Sequence, residues 1–374
     1  MTDLPKTMTA MVLTGHGGLD KLEYREDWPV PVPGPGEVLI RVGACGMNNT
    51  DINTRTGWYS KTVREGTHAE GGAEGFAEIT EEAGGWGAGL QFPRIQGADV
   101  CGRAVAVGGD ADGALVGKRV LVDTWLRDWD DPMNKDKCGY YGSEADGVLR
   151  EPTIAPARNV HAVDSELSDA ELATFATSYI TAENMLHRAR TSEGDRVLVP
   201  GASGGVGSAL IQLAKRRGAS VVALSGEAKA DQVRDAGADW VLPRAPGDLG
   251  AALEQATGRP QVDVVADVVG GDLWPQMIEV LRRGGRYTCA GAIAGPIVEF
   301  DLRTFYLNDL TFTGATIVPP GMFADLVAYI ERGEIRPLLA GTWPLEQLRE
   351  AQEAFLRKQH VGNYVVIPPD GEAS

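Results

Sequence analysis

Apolar and polar positions follow two rhythms along this chain, and the change between them divides it. In the first part the rhythm is alternation. TAMVLTG, a turn at His16-Gly17-Gly18 and LEYRE predict a hairpin over Met8 to Tyr24. Beyond four prolines between Trp28 and Gly36, Val38, Ile40 and Val42 alternate with polar or small residues, which predicts a half-buried strand of an antiparallel, barrel-like lobe. Strand character returns at Arg103 to Val107 and Arg119 to Val122. The Gly-, Glu- and Ala-rich stretch from Ser60 to Gln91 predicts an irregular surface insertion, either a lid or a spacer, and Asp123 to Gly142 an acidic, aromatic loop. From Asp164 the rhythm becomes helical: Ser165 and Ser168 precede acidic first turns, and Ala170 to Arg188 is amphipathic.

The second part alternates strand and helix. Val197 to Val199 enters the glycine-dense turn Gly201-Ala202-Ser203-Gly204-Gly205-Val206-Gly207; an amphipathic helix follows, then the strand Val221 to Leu224. Helices at Ala230 to Gly237, Leu249 to Thr257 and Leu273 to Leu281 are interleaved with strands at Trp240 to Leu242, Val262 to Val269 and Arg286 to Ala290. A last helix, Met322 to Arg332, and a strand, Tyr364 to Ile367, close the chain. Such alternation implies a parallel sheet with helices on both faces. The glycine turn suits a pyrophosphate because glycines let the backbone approach it and the helix start offers N–H groups and a partial positive charge.

At 374 residues and 43% hydrophobic, the chain is long enough for two domains. No apolar run is long enough to span a membrane and Met1 to Lys6 begins no signal peptide, so a cytoplasmic protein is expected. Lys and Arg number 35 against 52 Asp and Glu, a formal net charge of −17, which disfavours nucleic acid and anionic membranes as partners. Cys45, Cys101, Cys138 and Cys289 are scattered, so neither a disulfide nor a zinc cluster is expected. The five histidines stand apart and build no Ser-His-Asp arrangement.

GPGEVLIRVGACGMNNTD, PRIQGADVCGRAVAVG, the glycine turn, DVVGG at Asp267 to Gly271 and RPLLAGTWPLEQLREAQE together resemble a medium-chain dehydrogenase/reductase, nearest the zinc-free quinone oxidoreductase branch. The resemblance implies an α/β Rossmann domain, a doubly wound parallel sheet, beside a mainly β, GroES-like barrel catalytic domain. It places the catalytic domain at residues 1–165, the NADP-binding domain at 166–313 and a C-terminal return at 314–374, with the active site in the cleft between lobes. It also implies a homodimer, with a tetramer as the alternative, paired through an edge strand; Leu310 to Ile317 is suitably β-prone for that edge or for an internal strand.

The zinc-bearing branch holds its metal with a Cys, a His and a Cys or Asp. Here those positions fall on Asn48, Ala98 and near Thr177, and zinc wants thiolate or imidazole, so no metal is expected. Without a Lewis acid, hydride transfer suits a substrate carbon that is already electron-poor, which implies NADPH-dependent reduction of a quinone or an α,β-unsaturated carbonyl compound. The alternatives are an alcohol or aldehyde oxidoreductase and a dinucleotide-binding protein with little turnover.

Where the resemblance puts the cleft, the expected catalytic residues are Asn48, Thr50, Asp51 and Tyr59: an amide for the ribose or a developing oxyanion, two groups at the same strand end, and a hydroxyl for the substrate. For Asp51 a structural hydrogen bond, and for Tyr59 simple packing, stand beside those roles. Expected at the cofactor are Asn48, Thr181, Ser203, Gly204, Gly205, Val206, Val269 and Ala292. Ser225, Lys229 and Arg244 follow the second Rossmann strand, where a serine and a cation suit a 2′-phosphate. Glu227 nearby, Pro243 in place of a frequent Tyr, and Gly362-Asn363 in place of Gly-Lys point the other way, so NADH stays open.

Overall fold

The computed structural model describes residues 5–67, 69–77, 79 and 89–371, the side chains of 69, 70 and 135 excepted. The first lobe contains β1 (Thr7–Leu13), β2 (Leu22–Pro29), β3 (Glu37–Gly46), α1 (Asn49–Thr56), α2 (Ala69–Glu74), β4 (Arg94–Ile95), β5 (Asp99–Val107), β6 (Arg119–Val122), β7 (Trp125–Leu126), β8 (Gly139–Tyr140), β9 (Pro152–Pro156) and β10 (Val160–Ala162). Two helices, α3 (Asp169–Leu172) and α4 (Ala176–Arg188), lead to the second lobe. That lobe runs β11 (Arg196–Val199), α5 (Gly205–Arg216), β12 (Ser220–Ser225), α6 (Ala230–Asp235), β13 (Trp240–Pro243), α7 (Leu249–Thr257), β14 (Val262–Asp267), α8 (Trp274–Glu279), β15 (Leu281–Cys289), α9 (Leu302–Leu307) and β16 (Thr311–Gly314). The chain closes with α10 (Met322–Glu331), β17 (Leu339–Pro344), α11 (Leu348–Leu356) and β18 (Asn363–Ile367).

Among the described residues the second lobe is a six-stranded parallel sheet in the order β13-β12-β11-β14-β15-β16. The alternation of its strands explains the double winding. Val197, Val199, Val221 and Ala223 belong to the core shared with α4 and α5, whereas Leu198, Val222, Leu224 and Val265 pack with Leu249, Trp274 and Met277 on the other face. Strand order reverses between β11 and β14, and the crevice at that switch point is where ligands bind in open α/β sheets.

The other large sheet is mainly antiparallel, and the last residues of the chain complete it: β18 pairs with β3 and, in parallel, with β17. Here β3 departs from the expected half-buried strand, since every residue from Val38 to Gly46 except Arg41 is buried. It lies between β5 and β9 with α3 across its face, and a Cβ on Gly43 would sit 2.1 Å from the Asp169 carboxylate. The amphipathic run Ala170 to Arg188 also differs, breaking into α3 and α4. Most of α4 is buried, because it packs against α5 and α10.

Composition predicts an irregular Ser60 to Gln91 insertion, but its described part is not irregular throughout. Its described part contains α2, whose Gly72 carbonyl accepts a hydrogen bond from Arg55, a fully buried side chain that also donates to Gly17 and Gln352. At the insertion's start, the Thr67 N–H donates to the Ile293 carbonyl of the second lobe at 2.9 Å. Positions 68, 78 and 80–88 of that stretch lie outside the described residues. All four cysteines are free, and no helix among the described residues is long and apolar enough to cross a membrane.

Candidate active site

Glycine at the end of β3 lets three segments converge. A Cβ on Gly46 would lie 2.1 Å from the Ala173 carbonyl and 2.9 Å from the Asp99 side chain, so the ends of β3, α3 and β5 can meet only without one. Asn48 then caps α1 from extended backbone, and Asp51, at the third helical position, accepts the Asn48 N–H at 2.8 Å. The carboxylate therefore faces the helix start and fixes the direction in which Asn48 enters it.

Asp99 ties together the segments that carry the three positions compared with metal ligands. Its Oδ2 accepts from the Asn48 amide at 3.0 Å; its Oδ1 accepts from the Thr177 N–H at 2.9 Å and from the Thr177 hydroxyl. Ser178 donates to Asn48 Oδ1 at 3.3 Å, and Asn363 at the start of β18 donates to Ser178 at 3.1 Å. Ala98 is buried and offers only a methyl group. A buried carboxylate, an amide and two hydroxyls thus satisfy one another where thiolate and imidazole would be needed for zinc, and this donor set does not fit the metal. Among the described residues no group of three or more His, Cys, Asp or Glu could hold a metal ion.

Burial sets the electrostatics of this knot. Loss of water pushes the Asp51 carboxyl up to about 7, with the charge on Asp99 adding to the rise and the N–H groups of Asn48 and Gly97 opposing it. Asp99 is pushed up to about 6 by the same burial, against its hydrogen bonds from Thr177 and Asn48. Tyr59 and Tyr140 are raised by burial as well, so both phenols keep their protons at neutral pH.

Of the other expected catalytic residues, Thr50 and Tyr59 come together: the Tyr59 hydroxyl donates to Thr50 Oγ1 at 3.2 Å. Sequence reasoning leaves Tyr140 as free to pack its acidic, aromatic loop as to face a ligand. Its ring does pack edge-on against Trp125, but its hydroxyl also lies 2.7 Å from Thr177 Oγ1 and joins the Asp99 network. It likewise misses Ser178, Asn363 and the central role of Asp99. The departure of Gly362-Asn363 from Gly-Lys is the one visible signal, and by itself it points to a lost phosphate contact rather than a new buried bridge.

The glycine turn forms the opposite wall. Gly204 caps α5, and a Cβ there would meet nothing closer than the Gly201 carbonyl at 3.5 Å, which leaves room over the turn. The N–H groups of the first turn of α5, at Gly205 and Val206, lack intrahelical acceptors, as at any helix start. Gly205 is tight instead: a Cβ would lie 2.5 Å from Ser178 Oγ and 2.6 Å from Asn363 Oδ1, so the turn rests on the Asn48 network. Such an open, N–H-rich cradle fits a dinucleotide. Val269 and Ala292 follow β14 and β15 beside it, half-buried, and Thr181 lies one turn of α4 beyond Thr177. Ser225 is buried at the end of β12, the Lys229 ammonium lies 3.4 Å from Ser203 Oγ, and Arg244 is exposed just after β13.

Residues 34–165 match the alcohol dehydrogenase GroES-like domain family, and residues 205–332 match the zinc-binding dehydrogenase family. Among solved structures, a Sinorhizobium meliloti protein provisionally assigned as an alcohol dehydrogenase is 48% identical, with a TM-score of 0.90 and 98% of each chain covered. A quinone oxidoreductase of Lama guanicoe is 26% identical over 97% of this chain and 98% of its own length. An NAD-dependent alcohol dehydrogenase of Sulfurisphaera tokodaii is 25% identical over 96% and 100% respectively. With its Rossmann sheet, its dinucleotide cradle and both domain families present in order, the chain belongs to the medium-chain dehydrogenase/reductase superfamily and is a nicotinamide-dependent oxidoreductase.

Proposed function

We propose that the protein is a zinc-independent reductase that passes hydride from NADPH to a quinone or an α,β-unsaturated carbonyl compound. One observation carries this reading: Asn48 and Thr177 are bound to Asp99 and Ala98 has no donor, so the side chains at the metal positions supply no Lewis acid. NADPH supplies the hydride. The chain's own residues must then hold the substrate oxygen that gains the displaced electron pair and deliver a proton to it. Thr50 and Tyr59 are the hydroxyls proposed for that task, with Asn48 positioned beside them by Asp51 and Asp99. Ser225, Lys229 and Arg244 support the phosphorylated cofactor, because the strand end offers a hydroxyl and two cations near a 2′-phosphate.

A second reading, an alcohol or aldehyde oxidoreductase, is favoured by the likeness to the Sinorhizobium meliloti protein. The two separate in one assay. NADPH oxidation is expected with quinones or enones, undiminished by 1,10-phenanthroline, and with a kcat/KM at least about tenfold above that for NADH, the effect of one charged contact. Turnover confined to alcohols or aldehydes, lost with the chelator and restored by zinc, would sink the first reading.

The proposed assembly is a homodimer. β16 is an edge of the six-stranded sheet, and Leu302, Tyr306 and Leu307 of α9 are more than half exposed in the same segment. Tyr306→Glu is expected to convert the dimer to a monomer in light scattering; an unchanged mass would rule this edge out.

A further inference from the structure

Beside the glycine turn, two lysines converge without a carboxylate partner among the described residues. The Lys229 ammonium donates to the Lys358 carbonyl and lies 3.4 Å from Ser203 Oγ, while the Lys358 ammonium lies 3.1 Å from Asn49 Oδ1 and over the Phe355 ring at 3.7 Å. Neither forms an ion pair with a carboxylate among the described residues. Asn49 opens α1 beside Asn48, and Ser203 belongs to the turn before α5, so Lys358 lies between the start of α1 and the glycine turn.

The backbone at Lys358 adds a second observation. It has φ 50, just past the end of α11, in the left-handed region that glycine enters freely and a side chain enters at a cost. A lysine thus stands at a position whose backbone suits glycine, as Arg190 and Asp309 do elsewhere. The charged groups around it are Lys229, from the segment after β12, and His360, two residues on; Arg244 acts on Lys229 in turn. No carboxylate among the described residues offsets them. Burial, and then the charge on Lys229, holds the Lys358 ammonium down to about 7, and His360 is held down to about 4 by burial and by both lysines. The cluster is cationic throughout, which suits an anion beside it.

We propose that Lys358 receives the diphosphate of the nicotinamide cofactor and takes up a proton as it does so. The inference rests on the dinucleotide reading of the site but not on NADPH preference or on a quinone substrate, since NADH and NADPH share the diphosphate. Above neutrality the empty site holds Lys358 largely as the free amine. An anion beside it favours the ammonium, so binding consumes a proton and affinity falls as pH rises above about 7.

Titration calorimetry of NADPH and NADH at pH 8, in buffers of differing ionisation enthalpy, tests this. For the unmodified protein the binding enthalpy is expected to vary with the buffer, with a slope approaching about one proton taken up. Lys358→Gly suits the local backbone, so its melting temperature should hold while affinity for both cofactors drops by a common factor, about 10- to 100-fold. Lys358→Arg should retain most of the affinity and lose the buffer dependence, because guanidinium stays charged. Unchanged affinity in Lys358→Gly, a loss restricted to NADPH, or a buffer-independent enthalpy in the unmodified protein would each overturn the proposal. An NADH preference or an absence of quinone turnover would leave these binding results standing and would count only against the proposed reaction.

Discussion

Replacing Asp99 with asparagine is expected to lower kcat/KM for NADPH-driven reduction by about 100-fold and stability by about 1–3 kcal/mol. The carboxylate accepts at both oxygens, from Thr177 N–H and hydroxyl on one and from the Asn48 amide on the other. An amide offers one acceptor and one donor, so whichever way the substituted side chain turns, a donor faces a buried donor. The kinetic effect follows from the release of Asn48 and Thr177, not from any contact between Asp99 and the substrate. Stability should respond to pH with a definite sign. The folded protein holds the Asp99 and Asp51 protons more tightly than the unfolded chain, so their contribution is fullest in acid and fades as pH rises through about 6 and about 7. Asp99→Asn should flatten the Asp99 share of that decline in melting temperature. A variant within twofold of the parent in kcat/KM would contradict the positioning role.

The second large effect is expected to separate two neighbouring glycines. A Cβ on Gly207 would lie 2.3 Å from the Gly201 carbonyl and 2.7 Å from the Ala202 Cα, both backbone atoms, so Gly207→Ala must push α5 away from the turn. It should cost about 1–3 kcal/mol in thermal unfolding and weaken cofactor binding as well. Gly204→Ala meets no such obstacle, and its φ of −79 suits alanine. It should fold like the parent, yet raise the Kd for NADPH by about tenfold or more, because the methyl group occupies space over the turn into which the diphosphate must come. Equal melting temperatures for both variants, or full cofactor affinity in Gly204→Ala, would refute this account of the turn.

The architecture is legible because it is written in periodicity. The strand-turn-helix from Arg196 to Arg216, the parallel order and the early hairpin all follow from spacing that a local window can hold. Local windows misjudge what distant segments cover. β3 looks half-buried in sequence because Gly43 and Gly46 count as small residues in a pattern, whereas in space they mark where Asp169 and Ala173 press against the strand. The candidate site divides in the same way. Asn48, Asp51, Thr50 and Tyr59 lie within a dozen residues of one another, where the family resemblance puts the cleft. Asp99, Ser178, Tyr140 and Asn363 reach the same point from four separate segments. Lys358 carries no signal at all, since a lysine after a helix is usually solvated.

The strand that closes the catalytic sheet has a further consequence, for the order in which the protein can be made. β18 pairs Val365 with Gly46 and Val366 with Cys45, while Gly362 donates to the Ser203 carbonyl at the glycine turn. The six-stranded sheet has all its strands once Gly314 has been synthesised, and each pairs with a strand of the same stretch of chain. The lobe that contains β3 lacks a strand until Asn363 to Ile367 have been made. Domains usually fold in the order of their synthesis; here the cofactor lobe can mature first, and the first lobe must wait with the end of β3 uncovered until β18 has left the ribosome.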